Sequence, residues 1–294
     1  MSQQARARVG TSAWHKPPWR GKFYPQGLPQ AEELHYAADR LATLEINTTF
    51  HGLKTASSFR SWHAQTPNDF VFSVKASKTV THDHSLRNPE KGVAEFLNSG
   101  VLTLGRKLGA VLWQIPETLP FHRDTVDSFL AVLPHSVDEA RRLILEHYDE
   151  VEQTTLALPD APIRHAFEVR HSSFDTPGFT ELLHRHDVAA AFTNSPGWPP
   201  IREITSDFVY LRLHGSLEHF PNGYDTATLD RWAEKINGWL RGDGCPDGRP
   251  RDVLAYFDNP DHEGTRSPLD AIALQQRLDG PAYGVGQTIQ TELF

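Results

Sequence analysis

Cysteine is almost absent: the 294 residues hold one, Cys245, in the loop-like run from Gly242 to Gly248. A disulfide framework, a thiolate zinc site and an iron–sulfur cluster all need more thiols than that. No run of 18 or more apolar residues is present, so no membrane-spanning segment is expected. The first residues lack the apolar stretch of a signal peptide, which makes the cytosol the expected compartment. No Gly-x-Gly-x-x-Gly opens a helix after a strand, so no flavin or nicotinamide cofactor is expected. Sixteen histidines are present without a His-Glu-x-x-His signature, and no bound metal is expected. The net charge of −8 supplies no global basic field for nucleic acid or membrane. Internal repeats and low-complexity blocks are also missing.

What is there is alternation. Short β-rich runs at 8–12, 43–47, 71–76, 110–115, 165–170, 190–194, 208–215 and 253–259 give eight strands. Between them lie segments with helical spacing at 31–41, 93–104, 125–133, 137–151, 179–186 and 227–240. Eight strands alternating with helices predict one closed, parallel, TIM-like (β/α)8 barrel over residues 1–294. An irregular tail is expected at 281–294, and a mobile loop rich in Gly, Pro and Asp at 242–251.

Within the strands, one face is apolar and the other is polar toward the C-terminal end. Leu44 and Ile46 oppose Glu45 and Asn47, and Phe72 and Val74 oppose Ser73 and Lys75. Phe167 and Val169 oppose Glu168 and Arg170, and Leu211 and Leu213 oppose Arg212 and His214. Gln114, Tyr256 and Asp258 add to the polar set. The apolar face must pack on helices, which turns the polar face into the barrel. Carboxylates, cations and amides then converge on the C-terminal mouth, where active sites of this fold sit. For any one residue the alternative is a buried ion pair, such as Glu168 with Arg212 or Lys75, that only sets register. Burying the whole set without water or ligand would be costly, which favours a site.

The residues Gly10-Thr-Ser-x-Trp14, Trp19-x-Gly-x-Phe-Tyr-Pro25, Glu45-Ile-Asn-x-Thr-Phe50, Phe72-Ser-Val-Lys-Ala76 and Thr81-His82 resemble the YecE-like family, domain of unknown function 72. So do Gln114-Ile-Pro116, Phe167-Glu-Val-Arg-His171, Tyr210-Leu-Arg-Leu-His-Gly215 and Tyr256-Phe-Asp-Asn259. The resemblance runs over nearly the whole chain and implies a TIM-like barrel. It implies little about activity. Ala13, His51 and Asn194 depart from the family's usual Gly, Tyr and Asp.

The leading expectation is an enzyme, of hydrolase or isomerase type, acting on a small anionic or polyhydroxylated substrate. Glu45, Glu168, Asp258, His214 and His82 are its candidate acids, bases and proton carriers. Lys75, Arg170, Arg212, Asn47, Gln114, Trp14, Asn259 and His171 are its candidate substrate contacts, with Arg212 a bidentate anion ligand. A phosphodiester hydrolase acting on nucleic acid is a second reading, carried by fold analogy alone and therefore less favoured. A non-catalytic ligand-binding protein is a third. Trp14, Trp19, Phe23 and Tyr24 form either an aromatic wall over the mouth or a small second core, the latter favoured for Phe23 and Tyr24.

Overall fold

The structure, a computed structural model, describes residues 4–278; the expected tail at 281–294 lies outside the described residues. Eight strands close a fully parallel barrel in sequence order: β1 (Ala7–Thr11), β2 (Thr43–Ile46), β3 (Val71–Lys75), β4 (Leu108–Gln114), β5 (His165–Glu168), β6 (Ala189–Thr193), β7 (Phe208–Leu213) and β8 (Asp252–Phe257). β8 pairs back onto β1, from Ala7 with Val253 to Thr11 with Phe257. The helices are α1 (Glu33–Ala38), α2 (Thr48–His51), α3 (Ala56–Ala64), α4 (Pro89–Asn98), α5 (Arg123–Val132), α6 (Val137–His147), α7 (Gln153–Leu156), α8 (Pro177–Arg185), α9 (Thr226–Arg241) and α10 (Arg266–Gln275). This is a TIM-type (β/α)8 barrel.

The crossovers differ in form. A single helix over 93–104 does not form, because Gly100 interrupts it with φ +111°. A Cβ there would lie 2.4 Å from the Ala56 Cα, so the chain must turn into a separate 3₁₀ segment, Val101–Lys107. Between β6 and β7 there is no helix; Thr205 braces that connection by accepting from the Ala190 amide and donating to the Val188 carbonyl. α10 lies outside the segments whose spacing predicts a helix. It closes the barrel by packing on β1, and Gln275 accepts a hydrogen bond from the Val9 amide at 2.9 Å.

Alternation sorts the strand residues as expected. Val9, Leu44, Ile46, Phe72, Val74, Val111, Trp113, Phe167, Leu211 and Phe257 face the helices in one continuous core. A separate cluster fills the barrel interior, where small Ala110, Ala166, Ala189 and Ala191 make room for Phe208, Tyr210 and Tyr256. Large side chains from β7 and β8 thus fill the space that alanines on β4 to β6 leave. Gly10 lets β1 lie close to β2, since a Cβ there would sit 1.7 Å from the Thr43 carbonyl oxygen. Above the apolar floor comes a hydroxyl layer in which Tyr256 Oη meets Ser73 Oγ at 2.6 Å and Thr43 Oγ1 at 3.0 Å. The charged layer lies above that, at the C-terminal mouth.

Candidate active site at the barrel mouth

Arg212 is the centre of the charged layer. It extends inward from β7, is only 1% exposed, and sends each terminal nitrogen to a different strand. Nη1 donates to Glu168 Oε2 on β5 at 2.6 Å, and Nη2 donates to Glu45 Oε1 on β2 at 2.9 Å. Both carboxylates are fully buried. Their remaining oxygens are also satisfied: Glu45 Oε2 accepts from Tyr210 Oη at 2.6 Å, and Glu168 Oε1 accepts from Arg170 Nε and Nη2 at 3.1 and 2.9 Å. Burial works against the Glu168 charge. Arg212, His214 and Arg170 outweigh it and hold the carboxyl well below the ordinary range. Burial, with Glu45 beside it, raises the Tyr210 phenol well above its usual value, so the phenol keeps its proton to donate.

The arrangement corrects the role expected of Arg212. Its terminal nitrogens are committed to Glu168 and Glu45, and it is closed to solvent, so it is not placed to take a ligand anion bidentately. Glu45 and Glu168 are likewise spent on holding it.

Asp258 follows β8 and is the partly open member of the set. Its Oδ1 accepts from Lys16 Nζ at 3.0 Å, while Oδ2 lies 3.7 Å from Arg212 Nη2. Burial opposes its charge, yet Lys16, Arg212 and His214 hold its carboxyl at about 2. His214 projects from the end of β7 with Nε2 3.3 Å from Arg212 Nη1 and 3.6 Å from Glu168 Oε2, its ring against Trp198. Arg170 stacks on the same Trp198, 4.1 Å from the ring centre, and its Nη1 makes no hydrogen bond among the described residues.

Lys75 is different. It ends β3 on the inward face, half-buried, with its ammonium 4.0 Å from the centre of the Phe50 ring. Among the described residues Nζ makes no hydrogen bond and no ion pair. Burial, with Arg212 nearby, pushes its pKa down to about 8; Glu168 and Glu45 pull the other way and do not prevail. His82 meets the same Phe50 ring edge-on at 4.9 Å. Burial first, then Lys75 and Arg170, drop the His82 pKa to about 4, so its imidazole is neutral near pH 7.

Sequence similarity now bears on this geometry. The pattern of the family described as a protein of unknown function, DUF72, matches residues 8–292. The chain belongs to the DUF72 family. The UPF0759 protein YecE of Escherichia coli K12 is 30% identical to it over 127 residues, 43% of this chain; that match spans 44% of YecE, less than half its length. The UPF0759 protein YunF of Bacillus subtilis is 20% identical over 274 residues, 91% of this chain and 84% of YunF. A DUF72 crystal structure from Thermotoga maritima superposes with a TM-score of 0.69 at 22% identity, covering 92% of this chain and 98% of that one. These likenesses give the DUF72 chain its fold.

Several expected contacts fall elsewhere. Asn259 is buried behind the barrel wall, where Nδ2 donates to Asp270 on α10 at 3.0 Å. His171 caps the short 3₁₀ turn Ser172–Phe174, its Nδ1 accepting from the Ser173 amide. Both lie one residue past an inward side chain, Asp258 and Arg170, so the strand period itself turns them outward. Trp14 packs edge-on against Trp62 of α3, in a cleft with Gln30, His35 and Gln65 on the barrel flank. Trp19, Phe23 and Tyr24 are buried, with Tyr36 packed on them, as part of the main helix-facing core; they form neither a wall over the mouth nor a separate core. Asn47 and Gln114 do face inward. Asn47 Nδ2 donates to the Ser12 carbonyl, leaving Oδ1 buried without a partner, and Gln114 Nε2 donates to the Ile115 carbonyl. Asn194, where the family usually has Asp, serves the wall: its Oδ1 accepts from the Gly215 amide and its Nδ2 donates to Tyr224 Oη.

Sequence reasoning missed Lys16, Tyr210 and Trp198. Tyr210 shares the inward face of Arg212 two residues on and was legible. Lys16 and Trp198 sit in irregular loops, where no period marks direction. Among the described residues, no group of three or more His, Cys, Asp or Glu side chains gathers as a metal site would require.

Proposed function

We propose that the mouth is an active site for a small organic anion bearing a carboxylate or phosphate, with proton transfer by His214 and His82. One observation carries this reading. Four cations, Lys16, Lys75, Arg170 and Arg212, face three carboxylates, Glu45, Glu168 and Asp258, and Lys75 is the one left without an acidic partner. A half-buried ammonium without a counter-charge is costly, and a ligand anion is the natural relief. The unused Nη1 of Arg170 supports it as a second anion contact, and the buried Asn47 Oδ1 suits a substrate hydroxyl donor.

The acid–base roles divide by environment. Glu168 and Asp258 are held ionised by cations, so neither is a proton donor near neutral pH. His82, neutral near pH 7, can accept a proton or relay one, and His214 is open enough at 12% side-chain exposure to exchange with a ligand. Glu45, Glu168 and Arg212 are positioning residues. The phosphodiester reading finds less support, because a metal-ion hydrolase needs uncommitted carboxylates and these are paired.

The test is a thermal melt of wild type and Lys75→Met against a panel of carboxylated and phosphorylated metabolites. At least one anion class should raise the melting temperature of wild type, by mass action on the folded state. Lys75→Met should weaken that binding by about 1.5–3 kcal/mol, the value of a charge-assisted hydrogen bond. No stabilisation of wild type by any anion, or an equal response in the variant, overturns the reading.

A further inference from the structure

We infer that Lys75 is a covalent nucleophile whose amine condenses with the carbonyl carbon of a small oxo acid while Arg170 holds the acid's carboxylate. The inference rests on the mouth being an anion site and deepens it by naming the substrate class.

An amine kept only as a cation is normally paired with an acid or left in water. Lys75 has neither. It sits at the inward end of β3, half-buried against the face of Phe50, with no hydrogen bond or ion pair among the described residues. The charges around it are Arg212 and Arg170, cationic, and Glu168 and Glu45, already bonded to those arginines, with neutral His82 edge-on to the same Phe50 ring. A lysine is activated by removal from water and by a neighbouring cation, and both operate here. Its lowered pKa of about 8 agrees with that placement.

Arg170 selects the acid. Its Nε and Nη2 are fixed on Glu168 and its plane lies on Trp198, which sets the direction of the free Nη1. A single carboxylate oxygen fits such a donor. Lys75 ends β3 and Arg170 follows β5 at the same mouth, so an acid with a carbonyl beside its carboxylate offers one group to each.

The step balances. The neutral amine adds to the carbonyl carbon, forming a C–N bond as the carbonyl π pair moves to oxygen. Both amine hydrogens then leave with that oxygen as one water molecule, giving the imine, and a proton from solvent makes the iminium. Nothing is oxidised or reduced. The amine proton released during addition passes to solvent, with neutral His82, against the same Phe50 ring, as the base that relays it through water.

The full chain is incubated with glyoxylate or pyruvate, and with acetaldehyde and lactate as controls, each in the presence of cyanoborohydride, and mapped by peptide mass spectrometry. An adduct should form on Lys75 about tenfold or more faster than on the other lysines, as expected for an amine with a larger neutral fraction. Its rate should rise through pH about 8. The oxo acids should outpace acetaldehyde, and Arg170→Met should remove that preference. Lys75→Arg should abolish the site-specific adduct while its melting curve shows a folded protein. Labelling spread evenly over surface lysines overturns the imine. If Lys75-dependent stabilisation by lactate persists without trapping, the anion site stands and the nucleophile fails; if neither stabilisation nor trapping occurs, both fail.

Discussion

Replacing Arg212 with Met keeps much of the side-chain volume and removes the guanidinium from between Glu45 and Glu168. Both carboxylates are fully buried, and Arg212 contacts them at 2.9 and 2.6 Å. Removing one member of such a group strands charge in the interior, and the expected loss is about 3–5 kcal/mol. Tyr210 and Arg170 still hold one oxygen of each carboxylate, which keeps the loss within that range rather than above it. For a chain of this size the melting temperature should fall by roughly 5–15 °C. The pH dependence has a definite sign. In wild type the Glu168 pKa is depressed, so its contribution is present above the unfolded value of about 4.3 and is lost as pH falls through the folded value. In the variant the buried Glu168 has lost its principal counter-charge, so burial favours its protonated form in the folded state. The variant's deficit should therefore shrink between about pH 7 and pH 5. Urea unfolding at both pH values measures this. Adding Glu168→Gln to Arg212→Met should restore part of the loss, since a neutral amide tolerates the site better. A variant as stable as wild type at pH 7, with no pH-dependent difference, would refute the keystone role of Arg212.

Three further outcomes follow from the same contacts. Tyr210→Phe removes the 2.6 Å donor to Glu45 and should cost about 1.5–3 kcal/mol in urea unfolding; no change would mean that the bond contributes nothing. Lys107→Met leaves the carbonyls of His63 and Thr66 without the buried ammonium that caps the end of α3, and should lower stability by about 2–4 kcal/mol in the same assay. Asp258→Asn, at a more open position, should cost about 1–2 kcal/mol at pH 7, the linkage value of its depressed carboxyl discounted for partial exposure. Because the Asp258 folded pKa is about 2, an acid titration of wild type should show its contribution draining away between about pH 4 and pH 2, and the variant should lack that component.

The sequence made the barrel legible because eight strands each carry a period of two, and that period also chose which side chains turn inward. Glu45, Lys75, Glu168, Arg212 and Asp258 all lie on the face that alternation assigns them. The same rule, applied one residue further, excludes Asn259 and His171; both are outward and bonded to the wall and to a loop. What alternation cannot supply is partnership. Whether Arg212 meets a ligand or two glutamates depends on β2, β5 and β7 closing around one axis, and that is a property of the closed sheet. Local breaks were also hidden: the helical spacing of 93–104 runs through Gly100, whose turn is dictated by the backbone of Ala56. The loop residues Lys16 and Trp198 complete the mouth from segments without any period.

The central claim is that Arg212 is built for the fold while Lys75 is built for a ligand, at some expense of stability. Urea unfolding of Lys75→Met beside wild type at pH 7 and pH 10 tests it most directly. A folded pKa of about 8 means that the unfolded chain binds more protons between there and the free value of about 10.4, so wild type should gain stability as pH rises through that window. Part of the penalty at pH 7 is offset by the contact with Phe50, worth about 0.5–2 kcal/mol. Lys75→Met should be more stable than wild type by about 1–2 kcal/mol at pH 7, and the gap should close by pH 10. A variant less stable than wild type at pH 7 would contradict it, and would make Lys75 part of the packing of the barrel.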